Sequence, residues 1–423
     1  MVGFARLAGA LVVDAVPLPV LAHAVGTPAY VYSAGMIRER IARLRAALEG
    51  IPHQLHYSLK ANACRGVLSV IREAGCGCDV VSGGELAKAM AAGFTPSQII
   101  FGGVGKQPHE LREALQAGIA LINVESAAEV TRLAEIAADL GVVAPVGLRV
   151  NPEVDVTNAH RFIATGEKGH KFGIPIGEVE TVGRQVLASS NLRLLALDMH
   201  VGSQLHTFDA YRHGAERLVE VARRLQGLGA PLAYLDVGGG LPATYEAEEA
   251  PDLAAFAAIV GEAARALGVT LLLEPGRFLV AEAGVLLTQV IYRKANGGRT
   301  TLVCDAGMTE LIRPSHYGAY HRIEPVEAVP ATSGTMVADV VGPVCETGDF
   351  LALGRELPAV EAGALLAVHT VGAYGSVMSS HYNARPRAAE VLVDGGRWAV
   401  VTARETYADL LRQDVAHPEW RRS

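Results

Sequence analysis

Between about residue 50 and residue 280 the chain repeats one pattern eight times: a short apolar run, then a longer stretch with apolar residues every three or four positions. The runs are Leu55–Leu59, Asp79–Val81, Ile99–Phe101, Leu121–Val124, Val146–Val150, Leu195–His200, Tyr234–Val237 and Leu271–Glu274. The stretches between them include Glu85–Ala92, Pro108–Ala117, Ala127–Leu140 and Tyr211–Leu228. A short apolar run bounded by polar residues is the mark of a buried strand, and three-and-four spacing is one face of a helix. Strand and helix in alternation imply parallel strands, because each helix carries the chain back to the start of the next strand. Eight such units over roughly 250 residues are the size of a (β/α)8 barrel of the TIM type. The predicted class is therefore α/β, with the barrel over residues 36–280.

The gap between the fifth and sixth runs is the longest. Asn151–Pro175, rich in Gly, His and Lys, reads as a loop inserted over the barrel mouth. Within it Gly166–Gly173 is hydrophilic enough for a lid, although His170 and Lys171 read equally well as solvated loop residues. After residue 281 helical periodicity fades. Short β-type runs follow at Val285–Tyr292, Thr301–Cys304, Thr335–Val341, Leu365–Val371, Glu390–Val393 and Trp398–Val401, punctuated by Gly and Pro. This predicts a second, mostly antiparallel β domain, barrel- or sandwich-like, over 281–423. The strand-like Leu11–Val13 and Ala29–Tyr32 assign residues 1–35 to the same domain.

Composition narrows the function classes. Half of the residues are hydrophobic and the mean hydropathy is +0.26, ample for a large core. No apolar run approaches the ~18–20 residues that span a bilayer, so no membrane partner is expected. A net charge of −7 and a pI near 6.1 argue against a broad basic surface for nucleic acid. The five cysteines are too few and too scattered for a disulfide framework. Cys76 and Cys78 stand two apart with no ligand pair at zinc spacing, so no metal is expected. Without a persuasive signal peptide at Met1–Arg6, a reduced, cytoplasmic protein is the expectation.

In a barrel of this type the chemistry sits at the C-terminal ends of the strands. There the first run leads into Ser58-Leu59-Lys60-Ala61-Asn62, the sixth into His200-Val201-Gly202-Ser203-Gln204, the seventh into Gly238-Gly239-Gly240 and the eighth into Glu274-Pro275-Gly276-Arg277. Singly, each has an ordinary reading: a rim lysine, a hydrogen-bonded core histidine, a glycine turn, a strand end. Together they ring one mouth with an amine, an imidazole, a backbone nest suited to phosphate and a carboxylate. That is the set pyridoxal phosphate requires.

With Asp79-Val80-Val81-Ser82-Gly83-Gly84-Glu85, Arg313-Pro314, Tyr317, Gly342-Pro343-Val344-Cys345-Glu346-Thr347-Gly348-Asp349 and Gly372-Ala373-Tyr374-Gly375, these segments run in order through more than 300 residues. The sequence resembles the alanine-racemase-like barrel class of pyridoxal-phosphate decarboxylases, and within it the diaminopimelate decarboxylase branch. The resemblance implies that Lys60 condenses with the cofactor aldehyde and Glu274 keeps the pyridine nitrogen protonated. His200 would pack on the ring face. Ser203, Gly238, Gly239, Gly240, Gly276 and Arg277 would hold the phosphate, with Asp79 close by. Cys345 resembles the acid that returns a proton to the substrate carbon, against the ordinary reading of a buried, inert thiol. In the family its segment, with Tyr374, is offered to the barrel of a neighbouring subunit, which implies a homodimer.

For the far end of the substrate, Arg277 and Arg313 suit a carboxylate bidentately, Tyr317 adds a donor, and Glu346 suits the distal ammonium. The expected reaction is decarboxylation of meso-2,6-diaminopimelate to L-lysine, the last step of lysine biosynthesis. Ornithine-type relatives usually show an aspartate where Glu346 stands, and Thr347 replaces a more usual serine. The alternatives are a decarboxylase of another diamino acid or carboxylated polyamine (ornithine, arginine, carboxynorspermidine), and a non-catalytic cofactor-binding homologue.

Overall fold

In the computed structural model, which describes residues 2–154 and 169–421, each of the eight apolar runs falls on a strand. The strands are His53–Ser58, Gly77–Val80, Ile99–Phe101, Leu121–Val124, Ala144–Asn151, Leu192–Met199, Tyr234–Asp236 and Thr270–Leu273. Each pairs in parallel with the next. The eighth pairs back onto the first, Leu271 opposite His53 and Leu273 opposite Leu55, so the sheet closes without an edge. The helices that follow begin where local chemistry satisfies their first N–H groups. Ser82 accepts from Glu85, Ser126 from Glu129, and Asp252 from Ala254 and Ala255. Three end on left-handed glycines, Gly118, Gly141 and Gly268.

Only a short helix, Arg277–Val280, follows the eighth strand. The eighth position of the outer ring is taken instead by Ala34–Ala47, which packs beside helices Arg65–Glu73 and Leu253–Leu267. It buries Ile37, Ile41 and Leu44 on one face. It precedes the first strand, outside the alternation that marks the barrel. Residues 155–168 of the long loop, which include Gly166–Lys168 of the expected lid, lie outside the described residues. The two roots of the loop do meet. Gly173 has φ +72, and a Cβ there would stand 2.7 Å from the backbone nitrogen of Asn151.

The chain divides into two units, Ala34–Ala283 and Met1–Ser33 with Gly284–Ser423. In the second, Gly284–Asn296 pairs antiparallel with Ala29–Ser33, Arg299–Cys304 and Leu365–His369. Thr335–Val341 pairs antiparallel with Phe350–Pro358, and Ala389–Asp394 with Arg397–Thr402. Two pairings are parallel, so the sheet is mostly, not wholly, antiparallel. Phe350–Pro358 shows only its first four residues, Phe350–Leu353, as apolar, because Gly354, Arg355 and Glu356 break the pattern midway. Gly284–Asn296 outlasts its apolar stretch because the Gly297-Gly298 turn, both residues at positive φ, folds it onto the next strand. Among the described residues no helix is long and apolar enough to cross a membrane.

One buried cation fixes the rim between the third and fourth strands. The Lys106 side chain is fully buried, and its Nζ donates to Gly103 O at 2.7 Å, Asn123 O at 2.6 Å and Glu129 Oε1 at 2.6 Å. All three ammonium protons are used. Lys106→Ala strands a carboxylate and two carbonyls, and should cost about 3–5 kcal/mol by the scale for breaking a buried pair. Urea denaturation should show a lower midpoint; an unchanged midpoint would mean that the pair carries no stability.

Candidate active site

The first barrel strand ends in a tight turn, Leu59–Ala61, that points Lys60 into the mouth. Its Nζ lies 3.5 Å from Asp79 Oδ2, and the lysine side chain is 38% exposed whereas that of Asp79 is 1% exposed. The amine is thus reachable from outside while its counter-charge is fixed beneath it. Ser58 Oγ donates to the same Asp79 oxygen at 2.7 Å. Glu85 accepts the Val81 N–H at 2.8 Å. Burial pushes its carboxyl up to about 7, Asp79 adds to the rise, and Val81 N–H, Lys60 and Lys88 oppose it.

The eighth strand's Glu-Pro-Gly-Arg corner is pressed against that turn. Ser58 N–H donates to Pro275 O at 3.3 Å. A Cβ on Gly276 would stand 3.0 Å from Ala61 Cβ and 3.2 Å from Ser58 Cβ, so any larger residue would crowd the two turns apart. The triple glycine packs more tightly still on its other side. A Cβ on Gly239 would lie 2.4 Å from Glu274 O. Gly238 N–H donates to Asp236 Oδ1 at 2.9 Å, and Gly239 N–H to His200 Nδ1 at 3.2 Å. Two of the three amides therefore brace the site itself. Among the described residues, the Gly240 N–H alone of the three lacks a protein acceptor. By accepting that bond His200 Nδ1 keeps its lone pair, so the ring is neutral with its proton on Nε2. Burial first, then Lys60 and Arg149, hold the His200 pKa well below its ordinary value.

Ser203 and Arg277 meet as the motifs imply: Arg277 Nε and Nη2 donate to Ser203 Oγ at 3.3 and 3.1 Å. Arg277 Nη1 also donates to Tyr245 Oη at 2.7 Å. Tyr245 is a residue the motifs do not mark. It joins the group only through the fold, 32 positions from its arginine.

Below the mouth three carboxyl groups, Asp198, Asp236 and Glu274, bring oxygens within 4.8 Å of one another. All three are buried. Burial, and then the neighbouring carboxylates, raise Glu274 well above the usual range, with Lys60 opposing. Asp198 is raised by burial and Asp236, with Arg149 opposing. Arg149 enters from the fifth strand, 2.7 Å from Glu125 Oε1 and 3.9 Å from Asp198 Oδ2. Asp198, Asp236 and Arg149 escape a motif reading, although the two aspartates end their strands just before His200 and the triple glycine. Among the described residues Asp79 Oδ1, Asp198 Oδ1 and Asp236 Oδ2 are buried with no hydrogen-bond partner. The floor thus holds acid capacity that the protein itself leaves unused. It suits a protonated heterocyclic nitrogen, as the Gly240 amide, Ser203 and Arg277 suit a phosphate and Lys60 suits an aldehyde.

The remaining expected residues form a second group, in the β unit. Arg313 and Tyr317 lie on the helix Arg313–Tyr317. Arg313 is buried and donates through Nη1 to His321 Nε2 at 3.0 Å, while His321 Nδ1 donates to His369 O at 2.8 Å. Cys345 and Glu346 sit exposed on the loop before Phe350. Tyr374 has φ +57, a left-handed conformation that costs an aromatic residue energy.

Comparison with known proteins agrees with this chemistry. Residues 34–281 match the model of the pyridoxal-dependent decarboxylase, pyridoxal binding domain. The chain is 45% identical over 412 residues to the diaminopimelate decarboxylase of Pseudomonas fluorescens, covering 97% of this chain and 98% of the relative. It is 37% identical to diaminopimelate decarboxylase from Helicobacter pylori complexed with L-lysine, with a TM-score of 0.89 over 93% of this chain and 98% of that one. The M. jannaschii diaminopimelate decarboxylase in co-complex with L-lysine is 31% identical, with a TM-score of 0.92 over 98% and 99%.

The raised acids have a consequence for stability. Burial, aided by Asp79 and opposed by the Gly238 N–H, raises Asp236 to about 7, against ~3.9 in an unfolded chain. Between those values the folded chain binds the extra proton, so this group's contribution to stability is lost as pH rises through about 7. Asp236→Asn keeps an oxygen for Gly238 and removes that titration. The gain in thermal midpoint of the cofactor-free variant over the native chain should be larger at pH 8 than at pH 4.5. A pH-independent difference would assign the titration elsewhere.

Proposed function

The chain belongs to the pyridoxal-dependent decarboxylases, in the diaminopimelate decarboxylase branch, and from that membership we propose that it binds pyridoxal 5'-phosphate in the barrel mouth and converts meso-2,6-diaminopimelate to L-lysine and carbon dioxide. The observation that carries this reading is the contact of the Lys60 turn with the Glu274–Arg277 corner, at 3.0 Å from a Gly276 Cβ to Ala61. It gathers an open amine and a buried acid into one mouth.

When bound, pyridoxal phosphate supplies an aldehyde that condenses with amines and a cationic ring that takes up the electron pair left by departing carbon dioxide. The protein's own residues do the rest. Lys60 would hold the cofactor through its amine, with Asp79 as the fixed counter-charge 3.5 Å away. Glu274, whose proton affinity burial has raised, would keep a proton at the ring nitrogen. Neutral His200 would pack on the ring without placing a second cation against it. Ser203, the Gly240 amide, Gly276 and Arg277 receive the phosphate.

The Cys345 thiol returns a proton to the substrate's α-carbon. Arg277, Arg313 and Tyr317 bind the distal carboxylate, and Glu346 the distal ammonium. We assign Cys345 and Tyr374 to the barrel mouth of a second copy, which makes the working unit a homodimer with shared sites. An exposed, functional thiol beside four buried free cysteines suits the reducing cytoplasm.

A substrate panel with product identification tests the reaction. Lysine should form from meso-diaminopimelate far faster than any amine forms from ornithine, arginine or carboxynorspermidine; the reverse order would refute the substrate assignment. Mixing tests the shared site. Lys60→Ala and Cys345→Ala chains are each expected to be nearly inactive, whereas exchange of subunits should recover up to ~25% of native activity, from one intact site in each mixed dimer. No recovery after proven exchange would mean that each site is built from a single chain.

A further inference from the structure

We propose that Asp349 and Asn383 are positioning residues for Cys345: they accept the backbone N–H groups of Val344 and of Cys345 itself and so fix where the thiol is presented. The proposal rests on the reading of Cys345 as proton donor. That role demands accurate placement, since a misplacement of about 1 Å can cost on the order of 100-fold in rate. Yet the Cys345 side chain is exposed on a loop. Its position must come from what holds the loop.

Asp349 closes that loop on itself. Its Oδ2 accepts the N–H of Val344, the residue before Cys345, at 2.6 Å. Its backbone N–H donates to Glu346 O at 3.0 Å, and its carbonyl accepts from Gly342 at 3.1 Å. Its other oxygen, Oδ1, accepts Met308 N–H at 2.6 Å and ties the loop to the turn before the Arg313 helix. The carboxylate is 4% exposed, so these short, charge-assisted bonds are shielded from water. The surroundings are shaped to admit it. A Cβ on Gly307 would lie 2.2 Å from Asp349 Oδ1, and one on Gly342 2.4 Å from the same oxygen.

Asn383 supplies the second grip. Its Oδ1 accepts the Cys345 N–H at 2.9 Å. The residue sits at φ +56, ψ 26, a left-handed conformation that asparagine tolerates better than most side chains. Its segment is fastened in turn, because Ser380 N–H donates to Thr309 O at 3.0 Å. Glu310 braces that turn by accepting the Gly307 N–H and the Thr309 hydroxyl, each at 2.9 Å. Three loops, 307–310, 342–349 and 380–383, are therefore tied pairwise into a triangle with Cys345 on one side. The same triangle joins the proposed proton donor to the helix that carries Arg313 and Tyr317.

The test uses the cofactor-loaded enzyme and has a readout separate from turnover. Cys64, Cys76, Cys78 and Cys304 are buried and Cys345 is exposed, so iodoacetamide under native conditions reports on Cys345. Asn383→Gly retains the left-handed backbone and deletes only the acceptor. It should lower kcat at least ~10-fold, leave KM for diaminopimelate within ~3-fold, and change the alkylation rate at least ~3-fold, with the thermal midpoint unchanged. Asn383→Asp, which restores the acceptor, should recover most of both rates. Asp349→Asn, folded by circular dichroism, should show the same pattern.

Native kcat and native alkylation in Asn383→Gly, beside a slow Cys345→Ala, would overturn the positioning role and leave the proton donor in place. A fall in kcat with native alkylation, or no rescue by Asn383→Asp, would also overturn it. Full turnover by Cys345→Ala would instead refute the reading beneath it.

Discussion

Closure of the barrel between its first and eighth strands is the constraint on which the rest depends. Lys60 and Glu274 are far apart in the chain, yet the pairing of Leu273 with Leu55 puts their strand ends side by side. The seam then tightens further. Gly276 comes so near Ala61 and Ser58 that a side chain there would push them aside, and Gly239 is closer still to the Glu274 carbonyl. Amine, acid and glycine turn are thus set by backbone contacts, which deform far less readily than long side chains. Site geometry of this kind is fixed when the sheet closes.

Electrostatics follow from the same enclosure. Four buried carboxyl groups, Asp79, Asp198, Asp236 and Glu274, face two cationic groups, Lys60 and Arg149. Burial makes full ionisation of Asp198, Asp236 and Glu274 costly, so protons remain on the floor of the site. A neutral His200 above them adds no charge of either sign. The result is a mouth that favours a cationic ring at its base and an anion near Arg277. Its amine stands where an incoming molecule reaches it.

Much of this was legible in the sequence because burial on both faces leaves a plain mark. All eight barrel strands showed as apolar runs, and the residues at their ends could be ranked as site candidates. The motifs Gly238–Gly240 and Glu274–Arg277 were visible because close packing there tolerates little but glycine. What stayed hidden depends on pairwise contact. Tyr245 reaches Arg277 from 32 positions away. Arg149 looks like any strand arginine until Glu125 and Asp198 flank it. Asn383 has no apolar rhythm or motif around it, and only its bond to Cys345, 38 positions back, gives it meaning. The helix Ala34–Ala47 was missed because it stands before the alternation it completes.

The central claim is that the Lys60 amine, and no other, holds the cofactor. The chain has six lysines, Lys60, Lys88, Lys106, Lys168, Lys171 and Lys294, so the assignment can be read without ambiguity. Purified protein loaded with pyridoxal phosphate, reduced with borohydride and digested, should give a single pyridoxyl-labelled peptide by mass spectrometry, with the label on Lys60. A label on another lysine, or a fully loaded protein with none on Lys60, would contradict the account.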